Sequence, residues 1–402
     1  MPEKPVIVFV WPNMHVYGGV HTFLLDCLQR LPGMDFRPYV FDVGRGQGPL
    51  DEYLKGFGHA IQRFIPSRGE DDVHYWNRVH AGLRDLSPSL VVFIESRYAE
   101  DVLKGLPEDV AAINLCLVDR PDEKYYRHAR ALAPRMKLIA GNSARIVARL
   151  RDELPADLHS RIRYLPIGVE APPDAGVRSL HDPIRLIFMA RLQYKQKRAQ
   201  DLVPFARELA ALRVDFHLSI VGQGEAADFL QHELSELISS GTVEMLPVVG
   251  PPARQLLNDY DVSLLFSEYE GQPMTVLDAL VRGIVPVVSD VKSGMADILK
   301  HGENGLLFPI GRPDIAARLV QALADDREYF ASLSRGALEL GRHFIVDETM
   351  LKLAQIIRES LSEMPAINPW DGWLPAPGTS RGRLIGYARP LLARLRKALR
   401  GD

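Results

Sequence analysis

Two basic side chains lie in a short loop that follows a predicted buried strand. Arg191 and Lys197 belong to the segment Met189-Ala-Arg-Leu-Gln-Tyr-Lys-Gln-Lys197, which comes directly after an apolar run at 184–189. Loops of this kind open onto the ligand-binding edge of a parallel sheet, where a guanidinium and an ammonium together can neutralise a diphosphate. The spacing therefore predicts a diphosphate site. The alternative is a solvated basic loop, since runs of charge usually lie at the surface.

Two acids stand eight residues apart in Ser267-Glu-Tyr-Glu-Gly-Gln-Pro-Met-Thr-Val-Leu-Asp-Ala-Leu280, which leaves a predicted strand and enters a helix. This spacing places Glu270 in the loop and Asp278 about one turn inside the helix. Both carboxylates can accept hydrogen bonds from hydroxyl groups. Taken singly, each acid has a structural alternative: a carboxylate favoured by the helix dipole, or a solvated helical aspartate.

Small residues in three loops after strands predict close approach of the backbone to an anion. Glycine lets backbone amides come near a phosphate, and the start of a helix adds a partial positive charge. The glycines with this predicted role are Gly18, Gly19, Gly222 and Gly224. At the helix start that follows Pro273, the amides of Met274 and Thr275 are predicted to be free to face an anion. For any one of these loops, a tight turn without a ligand is the alternative.

These loops need a sheet to position them, and short apolar runs alternating with helical segments indicate parallel sheets covered on both faces. One series of strands is predicted at 6–10, 38–41, 90–94, 112–117 and 137–140, and a second at 184–189, 217–221, 243–246, 262–266 and 285–288. Helices are predicted at 22–31, 199–212, 275–282 and 313–324. The linker between the series is placed at 171–177, because that stretch is rich in proline and glycine.

This organisation predicts an α/β protein with a cleft between two doubly wound domains. We expect a first domain over 1–172 and a second over 177–345. A helix near 350–361, within 346–365, is expected to cross back onto the first domain, and 366–402 is expected to form an irregular stretch and a basic tail.

In combination, these motifs resemble the GT4 family of retaining glycosyltransferases, which has the GT-B fold of two facing Rossmann-like domains. The matching pieces, in order, are Gly18-Gly19, Arg161-Ile-Arg-Tyr-Leu-Pro-Ile-Gly-Val-Glu170, Ala190-Arg-Leu with Lys197, Val221-Gly-Gln-Gly, the segment from Glu270 to Asp278, Gly283-Ile-Val-Pro-Val-Val-Ser289 and Gly302-Glu-Asn-Gly-Leu-Leu-Phe308. The motifs that carry the resemblance are concentrated at about 138–345, and fewer of them lie before residue 138.

The resemblance implies a role for each of these residues. Arg191 and Lys197 would bind the diphosphate of a UDP-sugar or GDP-sugar, the Gly19 amide would contact it, Glu270 would contact the sugar, and Asp278 would hold the ribose hydroxyls. Asp278 departs from the family, which has glutamate at this position.

The family also places a histidine before an aspartate near the donor sugar, where Leu117-Val-Asp-Arg120 has Val118. Asp119 would then act without that histidine. Candidate substitutes elsewhere in the first domain are His15, His21, His74, His80 and His128.

The resemblance further implies a metal-independent hexosyltransferase without a cofactor. The acceptor, a glycan or a lipid-linked sugar of bacterial cell-surface polysaccharide or glycolipid synthesis, would attack on the face from which the diphosphate leaves. An oxygen of the departing diphosphate would take the proton, so that the configuration at the anomeric carbon is retained. Catalysis would then depend on positioning and on positive charge.

Composition limits the location and the partners of the protein. Its 402 residues are more than one hydrophobic core usually serves, which favours two domains of about 150–200 residues. A net charge of −3 indicates no nucleic-acid partner. Cys27 and Cys116 have neither metal-ligand nor disulfide-scaffold spacing, and the start of the chain lacks the pattern of a signal peptide. We therefore expect a cytoplasmic protein.

The C-terminal segment 379–402 is basic and amphipathic. Seven arginines and lysines lie between Arg381 and Arg400 without an acid, and leucines recur there at helical spacing. Such a helix can lie on an anionic membrane surface, where a lipid-linked acceptor would be found. The alternative is a helix that packs on the protein with its arginines solvated.

Three other functions fit parts of the sequence. A metal-dependent glycosyltransferase of the single-domain type needs an Asp-x-Asp motif after a strand to hold a divalent cation. Asp259-Tyr-Asp261 has these letters, but it precedes the strand predicted at 262–266. A catalytically inactive scaffold that binds sugar nucleotides would account for Val118 and Asp278. A nicotinamide dehydrogenase fits worst, because the glycines at 222 and 224 lack the longer fingerprint and its acid.

Overall fold

The computed structural model describes residues 3–12, 14, 18–44, 54–95, 98–118, 123–247, 251–291 and 299–362, with the backbone alone for 123–125 and 251–253. Asp119, His15 and the basic segment 379–402 lie outside these ranges, and their predicted roles stay predictions.

The first sheet has seven parallel strands in the order β3-β2-β1-β4-β5-β6-β7. They are β1 (Val6–Trp11), β2 (Arg37–Asp42), β3 (Ile61–Arg63), β4 (Leu90–Ile94), β5 (Ala111–Cys116), β6 (Leu138–Gly141) and β7 (Ile162–Tyr164). The helices of this part are α1 (Gly19–Arg30), α2 (Asp72–Leu86), α3 (Ala99–Leu103), α4 (Glu123–Leu132) and α5 (Ala144–Glu153). The strand order reverses between β1 and β4, and ligands bind at such a switch point in open α/β sheets.

The second sheet has six parallel strands in the order β10-β9-β8-β11-β12-β13. They are β8 (Ile184–Met189), β9 (Phe216–Val221), β10 (Val243–Leu246), β11 (Val262–Leu265), β12 (Val285–Ser289) and β13 (Leu306–Phe308). Its helices are α6 (Leu202–Ala211), α7 (Ala227–Glu233), α8 (Ser235–Ser239), α9 (Pro251–Leu256), α10 (Met274–Leu280), α11 (Pro313–Asp325) and α12 (Arg327–Gly341). Here the order reverses between β8 and β11.

The central strands β1 and β4 of the first sheet are apolar along their whole length, as expected for strands that helices cover on both faces. Every residue of β1 and of β4 is buried. Each sheet has a large hydrophobic cluster of its own, the first including Phe9 and Val92 and the second Phe188 and Phe266. The apolar runs in the sequence therefore correspond to strands that face helices on two sides.

The last described helix, α13 (Val346–Ser362), lies on the first sheet although it follows the second in sequence. Leu353 and Ile357 belong to the same hydrophobic cluster as β1 and β4. Arg358 donates to the carbonyl of Met34 at 3.1 Å, and its guanidinium lies 5.3 Å from the centre of the Phe36 ring. The chain thus passes twice between the regions of the two sheets.

The ten predicted strands agree with the observed bounds to within one residue at each end. The strands β4, β8 and β10 have the predicted bounds. Three strands, β3, β7 and β13, were not predicted. Each has three residues and lies at an edge of its sheet. A run of three residues is too short to give a periodic signal. Within the described ranges, no helix is both long enough and apolar enough to cross a bilayer.

Candidate functional site

A predicted cation and a predicted acid form a buried ion pair. The Nζ atom of Lys197 lies 2.5 Å from Oε1 of Glu270, and the two side chains are 13% and 8% exposed. Ser267 donates its hydroxyl to the same Oε1 at 2.6 Å, and Ser289 donates to the carbonyl of Ser267 at 2.6 Å. Lys197 lies in the loop after β8 and Glu270 in the loop after β11, so the ion pair stands at the switch point of the second sheet.

The hydrogen bonds to Glu270 leave one of its oxygens open. Both Lys197 and Ser267 donate to Oε1, and no residue in the described part of the chain donates to Oε2. An ionised carboxylate has lone pairs on both oxygens, so Oε2 can accept a hydrogen bond from a ligand hydroxyl.

Arg191 lies on the same loop as Lys197 and is exposed. Its guanidinium donates to Oε1 of Gln196 at 3.2 Å, and Gln196 in turn donates to the carbonyl of Tyr269 at 3.4 Å. The amide of Glu268 donates to the carbonyl of Gln196 at 2.8 Å. The basic loop and the acidic loop are therefore tied together, and both cations lie next to residues 268–270.

Among the described residues, no carboxylate lies within ion-pair distance of Arg191. Its only described side-chain partner is the neutral amide of Gln196. The positive charge of Arg191 is thus uncompensated, as a site for an anion requires.

Gly222 and Gly224 let two loops of the second sheet lie against each other. Their φ angles are +145° and +156°. A methyl group on Gly222 would come within 2.0 Å of the carbonyl oxygen of Ala190, and one on Gly224 within 2.3 Å of that of Leu192. These glycines therefore support the loop that carries Arg191, which is a structural reason for them besides the predicted approach of a ligand.

The loop that carries Glu270 also contacts the first sheet. A methyl group on Gly271 would lie 2.6 Å from the carbonyl oxygen of Leu117, directly after β5. One on Gly19, at the start of α1, would lie 2.7 Å from Cγ of Met274. Two predicted site residues, Gly19 and Met274, are thereby brought together from different sheets.

Gly18 and the backbone amides of Met274 and Thr275 are the remaining groups predicted to face an anion. Gly18 has an extended backbone, and no atom of the described residues beyond its chain neighbours lies within 4 Å of the place where a Cβ would stand. The amides of Met274 and Thr275, the first two residues of α10, donate to no acceptor among the described residues. Free amides are usual in the first turn of a helix, and they leave donors for an anion.

Asp278 has two arginine partners that sequence reasoning missed. Its carboxylate, 3% exposed, accepts from Nε of Arg254 at 3.0 and 3.2 Å and from a guanidinium nitrogen of Arg282 at 3.2 Å. The pairing with Arg282 has an i, i+4 signal in the sequence, whereas Arg254 lies on α9 and has none. The carboxylate is thus already engaged, and the ribose contact implied by the resemblance stays a prediction.

A second acid belongs to the same cluster of charges. Asp26 on α1 is buried, and this burial raises its pKa to about 7 against the lowering effect of Arg254 and Arg30. The negative charges of Glu170 and Asp278 also raise its pKa. This charge cluster is made up of Asp26, Arg30, Glu170, Arg254, Asp278 and Arg282. Asp26, Asp278 and Arg282 are buried, whereas Glu170 is exposed.

Sequence reasoning also missed Glu95. It follows β4 at the switch point of the first sheet, is buried, and has a φ of 58° that non-glycine residues rarely adopt. Its position in the sequence, directly after the buried central strand β4, was the signal that could have marked it as a candidate site residue.

The histidines proposed as substitutes lie in different places. His21 is buried on α1, two residues from Gly19, and its burial lowers its pKa to about 4, so the ring is neutral at pH 7. His74 contacts Asp71 at the start of α2, and His80 contacts the carbonyl of Asp101. His128 is exposed on α4. Of these four, His21 is the one that adjoins a predicted site residue.

The alternative metal motif has a structural use. Asp261 is fully buried, and its carboxylate contacts Nδ1 of His181 at 2.7 Å and the amide of Arg185 at 2.8 Å. These contacts hold it at the amino end of β11, opposite to the loop that carries Glu270.

Comparisons with known sequences identify several glycosyltransferases as relatives. Residues 175–339 match the family described as glycosyl transferases group 1. The lipopolysaccharide 1,6-galactosyltransferase of Escherichia coli is 31% identical over 321 residues, which are 77% of this chain and 86% of that protein. The protein of the same name from Salmonella typhimurium is 30% identical, but over 39% of this chain and 44% of its own length. The putative colanic acid biosynthesis glycosyltransferase WcaL of Salmonella typhimurium is 31% identical, over 39% of this chain and 40% of its own length. The chain thus spans less than half the length of these two Salmonella relatives.

Solved structures share the fold. HepE of Anabaena in complex with UDP superposes with a TM-score of 0.69 at 16% identity, over 88% of this chain and 99% of that one. The apo form of the lipopolysaccharide outer core galactosyltransferase WaaB gives a TM-score of 0.64 at 20% identity, over the same shares. The predicted α/β architecture with the GT-B fold is confirmed.

Replacing Asp26 by asparagine tests the charge cluster. With a pKa raised from 3.8 to about 7, the folded protein binds more protons at this carboxyl than the unfolded chain does between about pH 4 and 7. The protonated carboxyl of Asp26 therefore makes its full contribution to the free energy of unfolding below pH 4, and this contribution is lost as the pH rises through 7. We expect Asp26→Asn to be the more stable protein at pH 8, by up to a few kcal/mol, with a smaller difference at pH 5.

Urea unfolding at pH 5, 6.5 and 8 measures this difference. The exposed Asp347, which also pairs with Arg30, supplies the matched control Asp347→Asn. A difference between Asp26→Asn and the wild type that does not grow with pH would contradict the prediction.

Proposed function

The chain belongs to the group 1 glycosyl transferases, and on that premise we propose that it transfers a sugar from a nucleoside diphosphate sugar to a hydroxyl of a glycan or lipid-linked acceptor. The observation that carries the proposal is the convergence of Arg191, Lys197 and Glu270 at the switch point of the second sheet. The names of the relatives favour lipopolysaccharide or exopolysaccharide synthesis as the setting.

The charges at this site suit a departing diphosphate. Arg191 offers an uncompensated planar guanidinium, and Lys197 is held in place by Glu270 beside it. As the bond between the anomeric carbon and the diphosphate breaks, negative charge develops on the leaving oxygen. Fixed positive charges at that position stabilise the transition state without reorganising.

We propose that the configuration at the anomeric carbon is retained and that no metal takes part. The acceptor hydroxyl approaches from the side of the leaving diphosphate, and its oxygen bonds to the anomeric carbon as the diphosphate bond breaks. Its proton passes to the departing diphosphate oxygen, so the protein needs no base. In this scheme Glu270 binds a sugar hydroxyl through Oε2, the Gly19 amide contacts the diphosphate, and Asp119 lies near the sugar.

A uridine nucleotide is the first donor to test. HepE was solved with UDP and with UDP-glucose, and two sequence relatives are named galactosyltransferases. UDP-glucose and UDP-galactose therefore precede GDP-sugars in a donor screen. A lipid-linked acceptor also agrees with the role proposed for 379–402 on the cytoplasmic face of a membrane.

One observation favours a second function, that of an inactive scaffold that binds sugar nucleotides. The carboxylate of Asp278, which the resemblance assigns to the ribose, is engaged by Arg254 and Arg282. A scaffold would bind UDP or GDP with the affinity of an enzyme and turn over no donor with any acceptor.

Substitution of the cations tests the proposed catalysis. Arg191→Ala and Lys197→Ala should each lower kcat/KM by about 10²–10³-fold, because each removes charge aimed at the leaving group. Turnover is measured as UDP release from UDP-sugars with an acceptor extract. Lys195→Ala, an exposed lysine of the same loop, is the control and should change little. A fall of less than tenfold in Arg191→Ala would count against its role.

Substitution of Ser267 tests how Glu270 is held. Ser267→Ala removes one of the two hydrogen bonds to Oε1, and bonds to charged groups contribute about 1.5–3 kcal/mol. We expect kcat to fall by about tenfold or more, with UDP affinity unchanged because Ser267 is buried behind Glu270. Ser289→Ala, which removes a bond to the backbone of Ser267, should have a smaller effect. Loss of UDP affinity at unchanged kcat would refute this assignment.

A further inference from the structure

Gln272 links the acidic loop of the second sheet to the backbone of the first. Its side chain is 7% exposed, and its Oε1 accepts a hydrogen bond from the amide of Ile167 at 2.9 Å. Ile167 follows β7 by three residues, whereas Gln272 lies between Glu270 and the start of α10. The bond therefore joins residues 105 positions apart in sequence.

Tight contacts on both sides fix the same short segment. Gly271 packs on the carbonyl of Leu117, and Met274 packs on Gly19. We name residues 270–274 the cleft strap. Its first residue, Glu270, bonds to Lys197 of the second sheet, and the next two touch the first sheet. The position of the Glu270 backbone is thus tied to both sheets.

The contact made by Gln272 has a specific chemical requirement. An amide N–H buried at Ile167 needs an acceptor, because an unpaired buried donor costs free energy. The carboxamide oxygen of glutamine supplies it, whereas methionine has a similar length and offers no comparable acceptor. Among the described residues, Gln272 is the one hydrogen-bond partner of the Ile167 amide.

We propose that Gln272 is a positioning residue that keeps the two sheets closed over the donor sugar and thereby excludes water from its anomeric carbon. This proposal rests on the proposed function. Closed sites protect reactive intermediates from hydrolysis. When the closure loosens, a water oxygen bonds to the anomeric carbon as the bond to the diphosphate breaks, and a water proton passes to the diphosphate. The products are then free sugar and UDP in place of the glycoside and UDP.

The partition between transfer and hydrolysis tests this role. In Gln272→Met the ratio of transferred sugar to hydrolysed sugar should fall by about tenfold, while the affinity for UDP alone stays within about twofold. Gln272→Glu keeps an acceptor oxygen and should restore most of the ratio. Gln355→Met, a substitution at an exposed glutamine of α13, is the control and should leave the ratio unchanged.

The outcomes separate this inference from the proposed function. A wild-type protein that binds UDP but turns over no donor would overturn the proposed function itself. A wild-type protein that transfers sugar, with an unchanged ratio in Gln272→Met, would overturn the role of Gln272 alone. If Gln272→Met does not fold, as judged by its urea transition, Gln272→Asn is measured in its place. Its shorter amide should also break the bond to Ile167 and lower the ratio.

Discussion

The buried ion pair between Lys197 and Glu270 is the interaction on which the rest of the site depends. Burying an ammonium and a carboxylate costs free energy unless each has a close partner. Here both charges come from loops after adjacent strands, β8 and β11, so the parallel topology itself brings them together. Ser267 then fixes which carboxylate oxygen is used. This leaves one oxygen of Glu270 and the uncompensated positive charge of Arg191 available to a ligand.

The two sheets are joined at the site by contacts of different kinds. The cleft strap makes short-range contacts through Gly271 and Gln272. The charge cluster joins α1 to α10 through the ion pair of Arg30 with Glu170 and through Arg282, which donates to the Glu170 carbonyl and to Asp278. Buried polar networks of this type specify one arrangement because each unpaired member would be costly. The cleft is thus fixed where the donor sugar is proposed to bind, and the cations stand on one side of it.

Sequence predicted much of this arrangement because the strongest signals are local. The alternation of apolar runs with turn residues marked β4, β8 and β10, and the loops after them follow from the parallel topology. The convergence of Lys197 with Glu270 could be expected once both loops were placed at the same sheet edge. In contrast, the arginine partners of Asp278 and the bond from Ile167 to Gln272 join distant positions, which no periodicity in one chain reveals. The tight contact of Gly222 with Ala190 was equally hidden, because glycine in a loop has several explanations.

The most direct test of the account is a crystal structure of the protein with UDP bound. We expect the diphosphate oxygens to lie about 3 Å from the guanidinium of Arg191 and from Nζ of Lys197, with the amide of Gly19 facing the same group. A diphosphate bound elsewhere, or bound with these two side chains turned away from it, would contradict the central claim.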